Sequence, residues 1–204
     1  MTDLLTRRQV VAGISLLGLG ALVGCDSSGG LSFKHGKDMS NQILGRSFKL
    51  KDPQGNEITL SSFRGSMPMV FFGFTQCPAI CPTTLARAVQ IKKLMGKDAD
   101  FLQVIFITLD PERDTPEVLK AYMAAFNPTF IGAYADPIER TREMAKQFQV
   151  VYEKEGAGPN YIVNHTANLY LLDENGKTIV SAPYEAKPDA IAHDIKQMLA
   201  AQSK

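Results

Sequence analysis

Two cysteines at a junction between a strand and a helix constrain this chain more than any other feature. Cys77 and Cys81 lie in the run 73–82, which reads Gly-Phe-Thr-Gln-Cys-Pro-Ala-Ile-Cys-Pro. The apolar run before it, 69–74, predicts a buried strand, and the segment 83–97 predicts a helix. Two thiols at this spacing can close to a disulfide or hold one soft metal ion, and the spacing alone leaves both open.

The pair could simply be buried in a core, since free cysteine is among the most buried residue types. The flanking prolines, Pro78 and Pro82, fit a loop and a helix start better than a helix interior. A helix N-terminus favours negative charge, so it is expected to lower the pKa of both thiols. We therefore favour a chemically active pair over a structural one.

The N-terminus predicts export. Arg7 and Arg8 precede an apolar stretch at 10–23, which is typical of a secretory signal and too short for a stable spanning helix. The stretch ends at 22–25, Leu-Val-Gly-Cys, which resembles a bacterial lipobox in which Cys25 becomes the lipid-modified first residue. An uncleaved anchor with an incidental Cys25 is the alternative. Twin-arginine and general secretion both stay open as export routes.

Lipidation also explains the number of thiols. The chain has three cysteines, and an exported protein with an odd number leaves one to be accounted for. If Cys25 carries lipid, Cys77 and Cys81 form a self-contained pair. Asp26 directly follows the predicted lipidated residue, and in enteric bacteria this is associated with retention on the inner membrane. The expected location is extracytoplasmic, lipid-anchored at the periplasmic face of that membrane.

Three segments are predicted along the chain. Residues 1–24 form a lipoprotein signal peptide, 25–43 a flexible tether rich in Ser, Gly and Lys, and 44–204 a single domain. A net charge of +1 gives no reason to expect a nucleic-acid partner.

Within the domain, strand and helix patterns alternate. The predicted strands, including those of an N-terminal and a later hairpin, are 48–50, 57–60, 69–74, 101–109, 129–133, 167–172 and 178–181. The predicted helices are 83–97, one capped by Thr115 and starting at Pro116, 138–148 and 188–200. This order predicts an α/β fold, a mixed sheet flanked by helices. With a cysteine pair where a strand meets a helix, the best match is a thioredoxin-like domain.

Three motifs resemble the Sco (SenC) family of copper chaperones, which serve the binuclear copper centre of cytochrome c oxidase. They are 72–83, with both cysteines; 110–116, Asp-Pro-Glu-Arg-Asp-Thr-Pro; and 164–167, Asn-His-Thr-Ala. The resemblance extends over 45–199. It implies a thioredoxin-like fold, copper as the bound metal, and a disulfide between the two cysteines in the oxidised form. The implied partners are the copper-bearing oxidase subunit, other copper chaperones and thiol reductants.

The resemblance further implies Cys77, Cys81 and His165 as copper ligands. Thiolates select Cu(I) and imidazole suits either oxidation state, so the set is chemically reasonable. A lone histidine is by default a satisfied surface or core residue, but a predicted loop just before the strand 167–172 favours the ligand role. The remaining histidines, which are expected to be solvated, are His35 and His193.

Two positions depart from the family pattern. Ala79 and Asn164 stand where members often have acidic residues, which leaves the three ligands intact but weakens the expected hold on Cu(II). Zinc could occupy the same set, although a structural zinc site normally has four ligands. Asp110, Arg113 and Asp114 are interpreted as a helix cap with a local ion pair, and Asp110 is not expected to be a ligand.

The predicted function is that of a membrane-tethered copper metallochaperone, which delivers copper by ligand exchange and does not require enzymatic turnover. The rival is a thiol–disulfide oxidoreductase that reduces the cysteines of the oxidase copper site. That enzyme needs Cys77 and Cys81 but not His165. A thiol peroxidase is a third alternative.

Overall fold

The computed structural model describes residues 32–45 and 48–202 of the 204-residue chain. The predicted signal peptide, 1–24, and the predicted lipidation site, Cys25, lie outside the described residues and stay predictions. In the described part of the chain, no helix has the length and apolar character that crossing a membrane requires.

Strands and helices alternate, as predicted. The strands are β1 (Lys37–Asp38), β2 (Lys49–Lys51), β3 (Glu57–Thr59), β4 (Met67–Gly73), β5 (Leu102–Thr108), β6 (Ile131–Ala133), β7 (Tyr152–Glu155), β8 (Ile162–His165), β9 (Leu169–Leu172) and β10 (Thr178–Ala182). The helices are α1 (Ile80–Met95), α2 (Pro116–Phe126), α3 (Arg140–Gln147) and α4 (Pro188–Gln202).

Six strands form the central sheet in the order β1-β10-β9-β4-β5-β6. The strands β4, β5 and β6 are parallel, whereas β9 runs antiparallel to β4 and to β10. All seven residues of β4 are buried, because helices cover both faces of the sheet. A mixed sheet flanked by helices confirms the predicted α/β architecture.

Six residues, 74–79, separate the end of β4 from the start of α1, which brings the N-terminus of the helix to the carboxyl edge of the sheet. Its buried face includes Leu85, Ala88, Ile91 and Met95, at helical spacing, and it packs against α4. Helix α2 starts as predicted, with Pro116 at its first turn and the Thr115 side chain accepting from the amide of Val118.

The hairpin formed by β2 and β3 and the one formed by β9 and β10 are both confirmed. A third hairpin was not predicted. Strands β7 and β8 pair antiparallel as a separate two-stranded sheet, and we call the segment 152–165 the histidine hairpin because His165 is its last residue. His165 therefore ends a strand and does not lie in a loop before β9.

The predicted tether, 25–43, is wrong over its last part. Lys37–Asp38 pairs with β10 at the edge of the sheet, and Met39 is buried. The amide of Lys34 donates to the buried carboxylate of Asp194 at 3.0 Å. The segment joins the domain through main-chain pairing, which a composition rich in Ser, Gly and Lys does not reveal.

Candidate metal centre

The two cysteines differ in depth. We call residues 74–79 the cysteine loop, which connects β4 to α1. Cys77 lies in this loop and is half-buried, whereas Cys81 lies in the first turn of α1 and is fully buried. Both are free thiols. The amide of Cys81 donates to Cys77 Sγ at 3.4 Å, so the start of the helix contacts both sulfurs.

Cys81 packs directly on the end of β4. A Cβ atom on Gly73 would lie 2.6 Å from Cys81 Sγ and 2.9 Å from Phe106 Cε2. Any larger residue at position 73 would collide with the sulfur or with the ring beneath it. Gly73 is therefore a residue of the site, and its presence in the motif 72–83 is the sequence signal for it.

His165 lies next to the deeper sulfur. Its Nε2 is 3.8 Å from Cys81 Sγ, and its Nδ1 is 2.9 Å from the carbonyl oxygen of Thr166. A carbonyl only accepts, so Nδ1 carries the proton and Nε2 presents its lone pair to the sulfur. Sulfur and nitrogen ligands of one metal ion would be about 3.6 to 3.8 Å apart in trigonal or tetrahedral geometry. The observed separation fits a shared ion.

Cys77, Cys81 and His165 are not arranged so that all three could bind one metal ion. Among residues 32–45 and 48–202, no three His, Cys, Asp or Glu side chains converge closely enough to hold one metal ion. Cys81 and His165 face each other, and Cys77 adjoins Cys81 through the amide hydrogen bond. Completing a set of three requires the Cys77 side chain or the cysteine loop to adjust, and the full ligand set stays a prediction.

Burial controls the protonation of Cys81. Loss of hydration raises the pKa of this thiol well above its ordinary value, although a hydrogen bond with the backbone of Phe74 acts in the opposite direction. The prediction that the helix N-terminus lowers the pKa of both thiols is therefore wrong for Cys81. The depth of the sulfur outweighs the electrostatic effect of the helix.

Burial of the imidazole ring likewise lowers the pKa of His165 below its ordinary value of 6.5. The contribution of neutral His165 to stability is thus complete above about pH 6.5 and is lost as the pH falls toward the folded-state pKa. In the reduced, metal-free protein we expect the His165 ring to titrate below pH 6.5 in an NMR titration, and to return to the ordinary value in urea. A folded-state midpoint at or above the unfolded one would contradict this assignment.

Asp114 holds the start of the cysteine loop. Its carboxylate accepts from the Thr75 amide at 3.0 Å, from Thr75 Oγ1 at 2.6 Å and from Thr108 Oγ1 at 2.6 Å. Burial raises the pKa of Asp114, and these hydrogen bonds oppose the rise. The predicted ion pair between Arg113 and Asp110 is present, but Thr115, not Asp114, supplies the helix cap. Asp114 instead connects the loop to the end of β5.

The structure also shows the surroundings of the two positions that depart from the family pattern and of the other two histidines. Ala79 is exposed, and Asn164 Nδ2 donates to Glu155 Oε2 at 2.5 Å across the histidine hairpin. His35 is exposed, as predicted. His193 is half-buried, with Nδ1 3.3 Å from Asp194 Oδ1 on α4.

A mixed sheet whose central strand runs into a dithiol at a helix start defines a thioredoxin-like protein, here with an imidazole at the deeper sulfur. The chain belongs to the SCO1/SenC family, whose profile matches residues 36–200. The SCO2-like protein of Rickettsia felis is 34% identical over 159 residues, covering 76% of this chain and 77% of its own.

Solved structures agree with this assignment. The copper-bound structure of Bradyrhizobium japonicum ScoI superposes with a TM-score of 0.69 at 35% identity, covering 76% of this chain and 99% of that one. Copper-bound yeast Sco1 gives a TM-score of 0.70 at 30% identity, covering 78% and 89% of the two chains. The predicted thioredoxin-like Sco fold is confirmed.

Proposed function

We propose that this protein is a copper metallochaperone, with Cys77, Cys81 and His165 as the ligands of the copper it carries. The observation that supports this most directly is the 3.8 Å separation of Cys81 Sγ and His165 Nε2, next to a second thiol. Relatives that are at least 30% identical in sequence have been solved with copper bound.

The residues suit a soft ion. Two thiolates hold Cu(I), and the thiols release their protons as the metal–sulfur bonds form. Neutral His165 offers Nε2 without a competing proton, because Nδ1 is committed to Thr166. Transfer to a recipient proceeds by ligand exchange, in which each bond to the chaperone is replaced by one to the recipient, and copper keeps its oxidation state.

Oxidation would switch the site off. When Cys77 and Cys81 form a disulfide by exchange with a disulfide-bonded oxidant, their two electrons and two protons reduce that oxidant to a dithiol, and neither sulfur remains available as a thiolate. The proposed recipient is the copper-bearing subunit of cytochrome c oxidase. Thiol reductants would restore the dithiol, and other copper chaperones would then load it with copper. The proposed location is the periplasmic face of the inner membrane, to which lipid on Cys25 would anchor the protein.

The second candidate function is a thiol–disulfide oxidoreductase that reduces the cysteines of the oxidase copper site. A half-buried Cys77 followed by a buried Cys81 suits this chemistry, since the accessible sulfur can attack and the buried one can resolve the mixed disulfide. The enzyme has no use for His165, which separates the two functions.

The test is an anaerobic titration of the reduced protein with Cu(I) and with Cu(II), following stoichiometry and sulfur-to-copper charge-transfer absorption. We expect one equivalent to bind. In His165→Ala, Cu(I) should stay on the two thiolates, while the Cu(II) affinity should fall by more than about tenfold because the imidazole is lost.

Two results would contradict the proposed chaperone function. One is a reduced wild-type protein that binds no copper. The other is a His165→Ala variant with full copper affinity and oxidase assembly, while Cys77→Ser abolishes both reduction of the oxidase cysteines and assembly. The second result would favour the oxidoreductase.

A further inference from the structure

One guanidinium contacts both the cysteine loop, which carries Cys77, and the histidine hairpin, which carries His165. Arg113 pairs through Nε with the fully buried carboxylate of Asp110. Its Nη1 lies 3.2 Å from Gln76 Oε1 in the cysteine loop. The same nitrogen donates to the carbonyl oxygens of Pro159, at 3.2 Å, and Tyr161, at 2.9 Å, in the histidine hairpin. Arg113 therefore bridges the two halves of the site.

The ring of Tyr161 strengthens this bridge. The Arg113 guanidinium carbon lies 3.6 Å from the ring centroid, and the Tyr161 hydroxyl donates to Asp110 Oδ1 at 2.5 Å. Lys154, also on the hairpin, pairs with Glu112 at 2.7 Å. The planar guanidinium can stack on a ring while its N–H groups donate in the plane of the group, a geometry that a lysine ammonium does not reproduce.

Side-chain contacts hold the histidine hairpin: the polar contacts of Arg113 and Lys154, together with the packing of buried Val163 and of the His165 ring against the core. Strands β7 and β8 form a sheet of their own, without main-chain pairing to the six-stranded sheet among the described residues. The cysteine loop is fixed independently, through the hydrogen bonds between Thr75 and Asp114. Loss of the Arg113 bridge should therefore displace His165 and leave the two sulfurs in place.

We infer that Arg113 is a positioning residue that holds His165 at the cysteine pair and so sets how well the site binds Cu(II) relative to Cu(I). This inference rests on the proposed copper function. Cu(I) is satisfied by two thiolates, whereas Cu(II) gains more from an imidazole nitrogen. The bridge is thus a determinant of oxidation-state preference, outside the ligand set itself.

The test compares Arg113→Lys, Arg113→Met and the control Arg142→Met. Arg142 stacks on the ring of Tyr152, 5.6 Å from its centroid, and so contacts the same hairpin from α3. We expect Arg113→Lys to keep a positive charge beside Asp110 and stay folded. Its Cu(II) affinity should fall at least about tenfold, with a shifted charge-transfer band. Its Cu(I) affinity should equal that of the Arg142→Met control.

A second readout needs no copper. Hydrogen exchange of the metal-free reduced proteins should become faster in the hairpin amides, 152–155 and 162–165, in both Arg113 variants and stay unchanged in α1. Arg113→Met leaves the buried Asp110 carboxylate without its cation and could prevent folding. If this variant does not fold, Arg113→Lys alone provides the test.

The inference is overturned if Arg113→Lys keeps the wild-type Cu(II) affinity and spectrum, or if its hairpin amides exchange as in Arg142→Met. It is also overturned if Cu(I) and Cu(II) affinities fall equally. A wild-type protein that binds no copper contradicts the proposed function instead, and in that case the hydrogen-exchange result still decides whether Arg113 holds the hairpin.

Discussion

Replacing Cys81 with serine is expected to abolish stable Cu(I) binding by the reduced protein. Cys81 is the fully buried sulfur that faces His165, and a hydroxyl is a poor ligand for a soft ion. Changes to groups that only orient a metal ligand cost about 10- to 100-fold in affinity, so loss of the ligand itself should cost more than about 100-fold. Anaerobic competition against a Cu(I) chelator measures the change.

The matched control is Ala88→Ser, which also places a hydroxyl at a buried position of α1 but does not remove a sulfur. It should lose stability and keep the Cu(I) affinity. If Cys81→Ser binds Cu(I) as tightly as Ala88→Ser does, Cys81 is not a ligand and the proposed site is wrong.

Replacing Gly73 with alanine is expected to damage the site without touching any proposed ligand. The added methyl would lie 2.6 Å from Cys81 Sγ, so either the sulfur or the first turn of α1 must move. Overpacking of this kind costs about 1 to 3 kcal/mol in the free energy of unfolding. Displacement of the sulfur should also lower the Cu(I) affinity by about 10- to 100-fold. Chemical denaturation and chelator competition measure the two effects.

Gly132→Ala separates these effects. A Cβ atom at Gly132 would lie 3.1 Å from Leu119 Cβ, where β6 packs against α2. This variant adds milder crowding away from the cysteines and should bind Cu(I) as the wild type does. If both alanine variants had the same Cu(I) affinity, the close packing of Gly73 against Cys81 would have no bearing on the metal centre.

The elements that surround the cysteines could be predicted because local and tertiary signals agree there. The strand β4 is a continuous apolar run, and Thr115 with Pro116 gives a strong helix start. The histidine hairpin could not be predicted, since every residue of β7 is exposed or half-buried and its sequence shows no clear alternation. Its pairing with β8 is a tertiary outcome.

The chemistry of the site could likewise be predicted from the sequence only in part. The residue types and their spacing predict a dithiol at a helix start, and the structure has one. The depth of Cys81 depends on Gly73 and on Phe106 from the neighbouring strand, so its raised pKa could not be inferred from the helix start alone. Likewise, a spacing of three residues predicts the Asp110–Arg113 ion pair but not the reach of Arg113 to Tyr161.

The unequal depth of the two sulfurs gives the proposed copper transfer a direction. Cys77 is half-buried at the surface of the site, whereas Cys81 is closed off by β4 and α1. Of the three proposed ligands, Cys77 and His165 are half-buried, so an incoming ligand of a recipient protein is expected to approach from their side. Cys81, the deepest of the three, would then be the last to release the ion.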